Sequence, residues 1–334
     1  MKTIAKILVL LLALVGSLFA YNWLRDNKMP NFYGKAELYV GPETAPEDVV
    51  SSLSGQLRVL SVRRLRKVFK EKEVEKYIKQ GHYRVDSKMS SVYVARMLNN
   101  GWQTPVSLTI AGSLRTKEEI ARKISRQLQT DSVSVLAALN DSALLAGYDV
   151  TPETVYAAIF PATYDIYWTA SFKDVLDRCK KASDAFWTDE NLTKAARVGL
   201  SRRQVVTLAS IVKGESNYKP ELPKIAGVYL NRLDRGMLLQ ADPTVAFCYD
   251  YALKRILFRH LEFDSPYNTY KYAGLPPGPI CVPDKEYLEA VLNADRGGGN
   301  LYFCASPDLN GTHLFAKTAE GHSRNARAFH NALK

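Results

Sequence analysis

Cysteine is scarce in this chain of 334 residues: Cys179, Cys248, Cys281 and Cys304 are the only four, and none forms a C-x-x-C pair. No Cys/His cluster has zinc-ligand spacing, which argues against a structural zinc module. The four are read as buried or incidental thiols. An exported location would permit disulfides, but spacing does not pair them. A Gly-rich phosphate loop, an H-E-x-x-H helix and a G-x-S-x-G elbow are also missing, which argues against nucleotide, zincin and serine-hydrolase chemistry. Ser210 falls inside a helical pattern, not on a strand–turn–helix elbow. His313 and His322 have no acidic cluster nearby and are read as structural or site-lining. No metal and no cofactor is expected. Low-complexity runs and short repeats are absent too.

What is present is an ordinary globular balance, 46% hydrophobic and 24% charged, with a net charge of +11. The length suits two or three domains. A basic surface suits anionic lipids or an anionic polymer. Nucleic acid is not an expected partner, because the chain opens with an export signal. Lys2 and Lys6 precede an apolar run from Ile7 to Leu24, and Tyr21 and Trp23 sit at its far end. That is enough to span a bilayer with the N-terminus in the cytoplasm and the bulk exported. The run continues past its one weak small-residue cleavage site, so an uncleaved anchor is expected rather than a signal peptide.

The expected organisation is a cytoplasmic segment at 1–6, a transmembrane anchor at 7–24 and a linker at 25–35. An α+β module at 36–130, a connecting helical region at 131–200 and a catalytic domain at 201–334 follow. The fold class is therefore α+β. The module reads as strand–helix units in tandem: 36–40, an amphipathic basic helix within 59–79, 81–85 with 90–99, and 106–110 with 116–128.

Chemistry concentrates between Leu208 and Tyr249. Ser201 can cap a helix from Arg202 to Glu215, with Val205, Leu208 and Val212 on its buried stripe. Glu215 follows Val212 by three residues, which places a carboxyl group on the inward face at the helix C-terminus. Burial and the negative end of the helix dipole both favour the protonated form that a general acid needs. Periodicity alone leaves a second reading open, a solvated residue in a fraying last turn. A further helix starts near Pro223 and carries Ile225, Val228, Tyr229 and Leu233 before Gly236 stops it. Gln240 to Thr244 reads as a polar turn. Tyr267-Asn268-Thr269-Tyr270 and Gly274-Leu275-Pro276-Pro277-Gly278-Pro279 read as loops suited to a hydroxyl-rich ligand.

The LASIVxxE segment, the NRL…GMxLQxDPTV run, the YNTY and GLPPGPI loops and the closing LYF…H-x-F…H-x-x-N pattern resemble the endolytic murein transglycosylase (YceG-like) family. The likeness covers the chain from about Gly81 onward; the N-terminal anchor also fits, and the upstream module more weakly resembles a LysM-like subdomain. It implies a single-pass protein of the inner (cytoplasmic) membrane whose extracytoplasmic domain is a lytic transglycosylase. That enzyme would cut the MurNAc–GlcNAc bond of nascent peptidoglycan, leave 1,6-anhydroMurNAc ends and terminate strand elongation, with peptidoglycan synthases as partners. The alternative is a non-catalytic peptidoglycan-binding scaffold. The family pattern makes Glu215 the catalytic residue. Many members carry Glu-Lys-Glu there; Lys213-Gly214-Glu215 lacks the first acid and leaves Glu215 as the sole candidate. Asn231, Arg232, Gln240, Asp242, Thr244, Tyr267 and Asn268 are the expected substrate-binding residues. Asp242 is singled out, since a position facing Glu215 would suit a two-carboxylate hydrolase.

Overall fold

Ile7 to Leu24 holds no charge and no proline, and the chain there forms one helix, α1 (Lys2–Asn27). The structure, a computed structural model, describes residues 2–333. Met1, where the expected cytoplasmic segment begins, lies outside the described residues. By length and composition α1 could cross a membrane as an anchor or serve as a signal sequence, and its apolar window is uncovered by the rest of the chain. Exposed side chains such as Leu10 and Phe19 are unfavourable in water and at home in hydrocarbon.

The chain divides into two compact units. The first runs to Ser107, α1 included, and takes in Gln127–Gln129 and Asp165–Ala170. It contains β1 (Phe32–Tyr33), β2 (Lys35–Val40), α2 (Pro46–Gln56), β3 (Arg58–Val59), α3 (Val62–Glu71), α4 (Val74–Tyr77), β4 (Gly81–Asp86) and α5 (Ser91–Asn100). β1 pairs with β3, and β2 pairs antiparallel with β4 from Lys35↔Asp86 to Val40↔Gly81. Alternation along β2 turns Ala36, Leu38 and Val40 inward, where α2 packs on the strand and brings the buried Val49, Val50 and Leu53 into the same core. The expected basic helix stops at Glu71, because Glu73 adopts a left-handed backbone (φ 49°) and a separate turn begins. Ser90 caps α5 and Gly101, at φ 68°, ends it. A buried amide ties these pieces together. Asn31 donates to Ser61 O (3.1 Å) and Ser91 Oγ (2.9 Å), and accepts from the Ser61 N–H (3.0 Å).

The second unit comprises Leu108–Arg126, Thr130–Tyr164 and Ser171 onward. The boundary falls inside β5 (Val106–Ile110) and its partner β6 (Ala162–Ile166). Short helices α6 (Lys117–Ser125), α7 (Ser132–Ala138) and α8 (Ser142–Ala146) accompany these strands, and α9 (Phe172–Phe186) and α10 (Asp189–Arg197) follow. The centre is built by α11 (Arg202–Glu215), α12 (Leu222–Asp234) and α14 (Lys285–Leu292). α13 (Asp242–Cys248) lies against α11, and the antiparallel hairpin β7 (Tyr302–Ala305)–β8 (His313–Ala316) and α15 (Ala319–Ala332) complete the chain. The molecule is thus mixed α+β, as expected.

Local chemistry explains why α11 forms where it does. Ser201 Oγ accepts from the Gln204 N–H (3.4 Å) while Gln204 Oε1 accepts from the Ser201 N–H (2.9 Å), a capping box. Val205, Leu208, Ile211 and Val212 are fully buried. Ser210 is buried too; its hydroxyl donates to Thr207 O (2.7 Å) and accepts from the Ile280 N–H (3.0 Å), which fastens the Pro/Gly-rich loop to the helix.

α12 meets the 294–296 segment through a glycine. A Cβ on Gly227 would stand 1.9 Å from Asp295 O, and the Asp295 N–H donates to Pro223 O (2.9 Å). Gly227→Ala should therefore destabilise the protein by about 1–3 kcal/mol, the usual range for overpacking a closed contact. Thermal unfolding checks this, and an unchanged melting temperature would mean that this contact can relax.

Candidate active site

Glu215 is the last residue of α11; Ser216 is already extended (φ −151°, ψ 146°). The residue before it decides what comes near. A Cβ on Gly214 would lie 2.4 Å from Pro243 Cβ, so only glycine lets the first turn of α13 close onto the end of α11. That approach brings Asp242 to the same cavity as Glu215. The cavity measures about 230 Å³, and Arg115, Tyr251, Ile256 and Cys281 also line it.

The Tyr229 hydroxyl of α12 donates to Glu215 Oε1 at 2.6 Å. Glu215 keeps some exposure through the cavity, but its carboxyl is closely surrounded by protein. Burial pushes its pKa up to about 7; the Tyr229 hydrogen bond opposes the rise, the Asp242 charge adds to it and the Arg232 charge opposes it. Burial and the neighbouring Glu215 hold the Tyr229 phenol well above its ordinary range, so it remains a neutral donor. With Oε1 accepting from Tyr229, the acid proton belongs on Oε2. Asp242 stands in the first turn of α13 and accepts from the Tyr270 hydroxyl (2.6 Å). The arrangement can deliver a proton near neutral pH and take one back.

Of the seven expected binding residues, only Asp242 lines this cavity with Glu215. Polar atoms of the other six are engaged inside the protein. Asn231 Nδ2 donates to Asn300 O (3.0 Å). Arg232 donates to the carbonyls of Leu301 (2.6 Å), Leu238 (3.3 Å) and Leu239 (2.7 Å). The exposed Gln240, left-handed at φ 52°, donates its N–H to Thr269 O (3.0 Å). Thr244 Oγ1 donates to Ala241 O (2.7 Å) and meets Thr269 Oγ1 (2.9 Å). The Tyr267 hydroxyl reaches Glu153 O (3.0 Å), and Asn268 Nδ2 reaches Leu261 O (2.8 Å) and Phe263 O (2.7 Å). These contacts hold the loops around the cavity in place.

Three residues here escaped the sequence reading of the site. Tyr229 sits on the apolar stripe of α12 and reads as core; its signal was the hydroxyl, which a fully buried position obliges to find a partner. Arg115 and Tyr251 lie outside any recognisable pattern. Among the described residues no group of three His, Cys, Asp or Glu could hold a metal ion. His313 Nδ1 pairs with Glu221 Oε2 at 2.9 Å, and His322 stacks on Tyr302. The four thiols are unpaired; burial pushes Cys281, beside the cavity, up to about 12.

Residues 38–328 match the YceG-like family. An endolytic murein transglycosylase of Bacillus subtilis is 36% identical over 167 residues, 50% of this chain and 45% of that protein. One from Streptococcus pneumoniae is 26% identical over 356 aligned residues, 96% of this chain and 64% of that protein. The chain thus spans about half to two thirds of the length of the curated relatives it matches. A solved yceG-like protein from Listeria monocytogenes is 26% identical with a TM-score of 0.57, covering 87% of this chain and 99% of its own.

The raised pKa of Glu215 fixes the sign of a stability effect. Between the ordinary carboxyl value of 4.5 and about 7 the folded chain holds a proton that the unfolded chain has lost. Stability from this group therefore falls as pH rises through that window, and the cost is complete above it. Glu215→Gln should stabilise the protein above pH 7, by on the order of 2–3 kcal/mol, and leave it little changed below the unfolded value. Paired melts at acid and mildly alkaline pH test this; a pH-independent difference would contradict it.

Proposed function

The chain belongs to the YceG-like family, and on that premise we propose that it is an endolytic peptidoglycan lytic transglycosylase with Glu215 as its catalytic residue. The observation that carries the reading is a carboxyl group raised to about 7, held by Tyr229 and opening on a cavity. Neutral Glu215 gives its proton to the oxygen between N-acetylmuramic acid and N-acetylglucosamine as that bond breaks. The carboxylate left behind takes the proton of the muramic C6 hydroxyl while O6 bonds to C1. The product is a 1,6-anhydro end, and no water is consumed. The nucleophile is part of the substrate, so the protein supplies position rather than a second reactive group.

The rest of the proposal follows the resemblance. Helix α1 anchors the chain in the cytoplasmic membrane, its first residues inside and the catalytic domain outside. The region 36–130 includes a LysM-like positioning subdomain. Cleavage terminates growing strands delivered by peptidoglycan synthases. One observation favours a second reading: Asp242 lines the same cavity and opposes ionisation of Glu215, as a second carboxylate of a water-using hydrolase would.

Uncrosslinked glycan strands digested with the wild type should yield anhydro ends by mass spectrometry, and Glu215→Gln should lower the rate by about 10²–10⁴-fold, the usual worth of a general acid. Reducing ends would favour the Asp242 hydrolase, and binding without cleavage would favour a scaffold. The acid form must be present in the free enzyme, so kcat/KM should fall as pH rises through about 7. Because the Tyr229 hydrogen bond holds the Glu215 pKa down, Tyr229→Phe should move that limb to higher pH and lower kcat. A limb that stays in place would remove Tyr229 from the mechanism.

A further inference from the structure

A second cavity, about 380 Å³, adjoins the one that holds Glu215, and the two share Arg115 and Tyr251 as lining residues. The shared wall is firmly built. The Tyr251 hydroxyl donates to Ile280 O (2.5 Å). Asp250 and Tyr251 are consecutive left-handed residues at φ 50° and 56°, a conformation that only a fixed surrounding maintains. The Arg115 guanidinium lies over the Tyr251 ring, 5.4 Å from its centroid.

Arg115 has an exposed side chain, and its guanidinium makes no salt bridge among the described residues. Among the described residues its one hydrogen bond is from the backbone N–H to Glu119 Oε2 at 2.6 Å. A planar fork oriented by a ring and left open is suited to bidentate capture of a carboxylate. Beyond the wall the second cavity carries both signs of charge, with Lys117 on one side of the balance and Glu118, Glu153 and Asp250 on the other. A neutral sugar would leave those charges unmatched, and a purely anionic ligand would meet three carboxylates. A short peptide bearing both carboxylate and ammonium groups matches them.

We propose that this second cavity is a subsite for the peptide stem carried on the glycan, and that Arg115 binds a stem carboxylate at the wall between it and the cleavage site. This inference rests on the glycan-cleaving reading above and names the part of the substrate that selects the position of the cut. Arg115 is then a specificity residue. It touches the appendage and fixes which sugar stands over Glu215.

The test separates binding from cleavage by working in Glu215→Gln protein. Affinities are measured by calorimetry for glycan oligomers with intact stems and for the same oligomers stripped by an amidase. Stem-bearing oligomers should bind at least about tenfold more tightly, about 1.4 kcal/mol at 25 °C. Adding Arg115→Gln should bring the ratio within about threefold, and Arg115→Lys should restore only part of it, since charge returns without the fork. Equal binding of the two oligomers, no binding of either, or a preference that survives Arg115→Gln would overturn the subsite. Those outcomes are distinct from failure of the cleavage reading, which shows as wild-type protein that releases no new glycan ends. A melt of each variant guards against unfolding, and Lys117→Met, on the far side of the wall, should reduce the same ratio independently.

Discussion

The hydrogen bond from Tyr229 to Glu215 joins two groups that would each be unfavourable where they are if left alone. A phenol buried without a partner and a carboxyl group stripped of water both carry desolvation costs. Together they satisfy one another, and the carboxyl titrates near pH 7, raised by burial against the opposing pull of the Tyr229 bond. Everything nearby serves that meeting. α12 must lie close to α11, and Gly227 allows the 294–296 backbone to close over α12 from the other side. Gly214 performs the same service at the end of α11, where Pro243 takes the space of a side chain. Two missing Cβ atoms thus allow close approaches at the two helices that bring Tyr229 and Glu215 together.

Around this centre the loops are held by buried donors aimed at backbone carbonyls. Arg232 serves three of them, Asn268 two, and the Thr244–Thr269 pair links the start of α13 to the loop that carries Tyr270. Irregular backbone leaves carbonyls that no helix or sheet ladder satisfies. Side chains with fixed geometry meet that need and immobilise the loops in the process. Tyr270 can then hold Asp242, and Asp242 can act on Glu215 as a charge at a set position. Preorganisation of this kind is what a site needs when its own groups do not rearrange during reaction.

Much of this was legible in the residues, for physical reasons that can be named. α11 was readable to its ends because a capping box and an unbroken stripe are local signals. Helix α13 was not: Asp242-Pro243-Thr244 has the look of a turn, yet Pro in the first turn with an acid beside it also starts a helix. Seven residues carry too little periodicity to choose. Asn231, Thr244 and Asn268 have the right chemistry for a sugar, but the same amides and hydroxyls serve backbone carbonyls equally well. Only the packing shows which. Strand partners were equally out of reach, since β2 finds β4 and β5 finds β6, far along the chain. For that reason the tandem strand–helix reading could not show that the first compact unit would run to Ser107 and also take in Gln127–Gln129 and Asp165–Ala170.

Lys213, where the resemblance leads one to expect an acid, has a use that leaves Glu215 undisturbed. A free ammonium two residues from the carboxyl would favour its ionised form and draw the pKa down, away from neutrality. Lys213 instead donates to Asp284 Oδ2 (2.7 Å), Gly112 O (2.8 Å) and Val282 O (2.9 Å). Its charge is matched by Asp284, and the field of such a pair falls off faster than that of a lone cation. Arg232, not Lys213, is the cation that acts on Glu215. What Lys213 supplies is attachment, because Gly112 and Val282 belong to the segments that carry Arg115 and Cys281 into the cavity wall. On the proposed mechanism, whose nucleophile is the substrate's own hydroxyl, a lysine at that position removes no second reactive group. Lys213 is a clamp on the walls rather than a free charge beside Glu215.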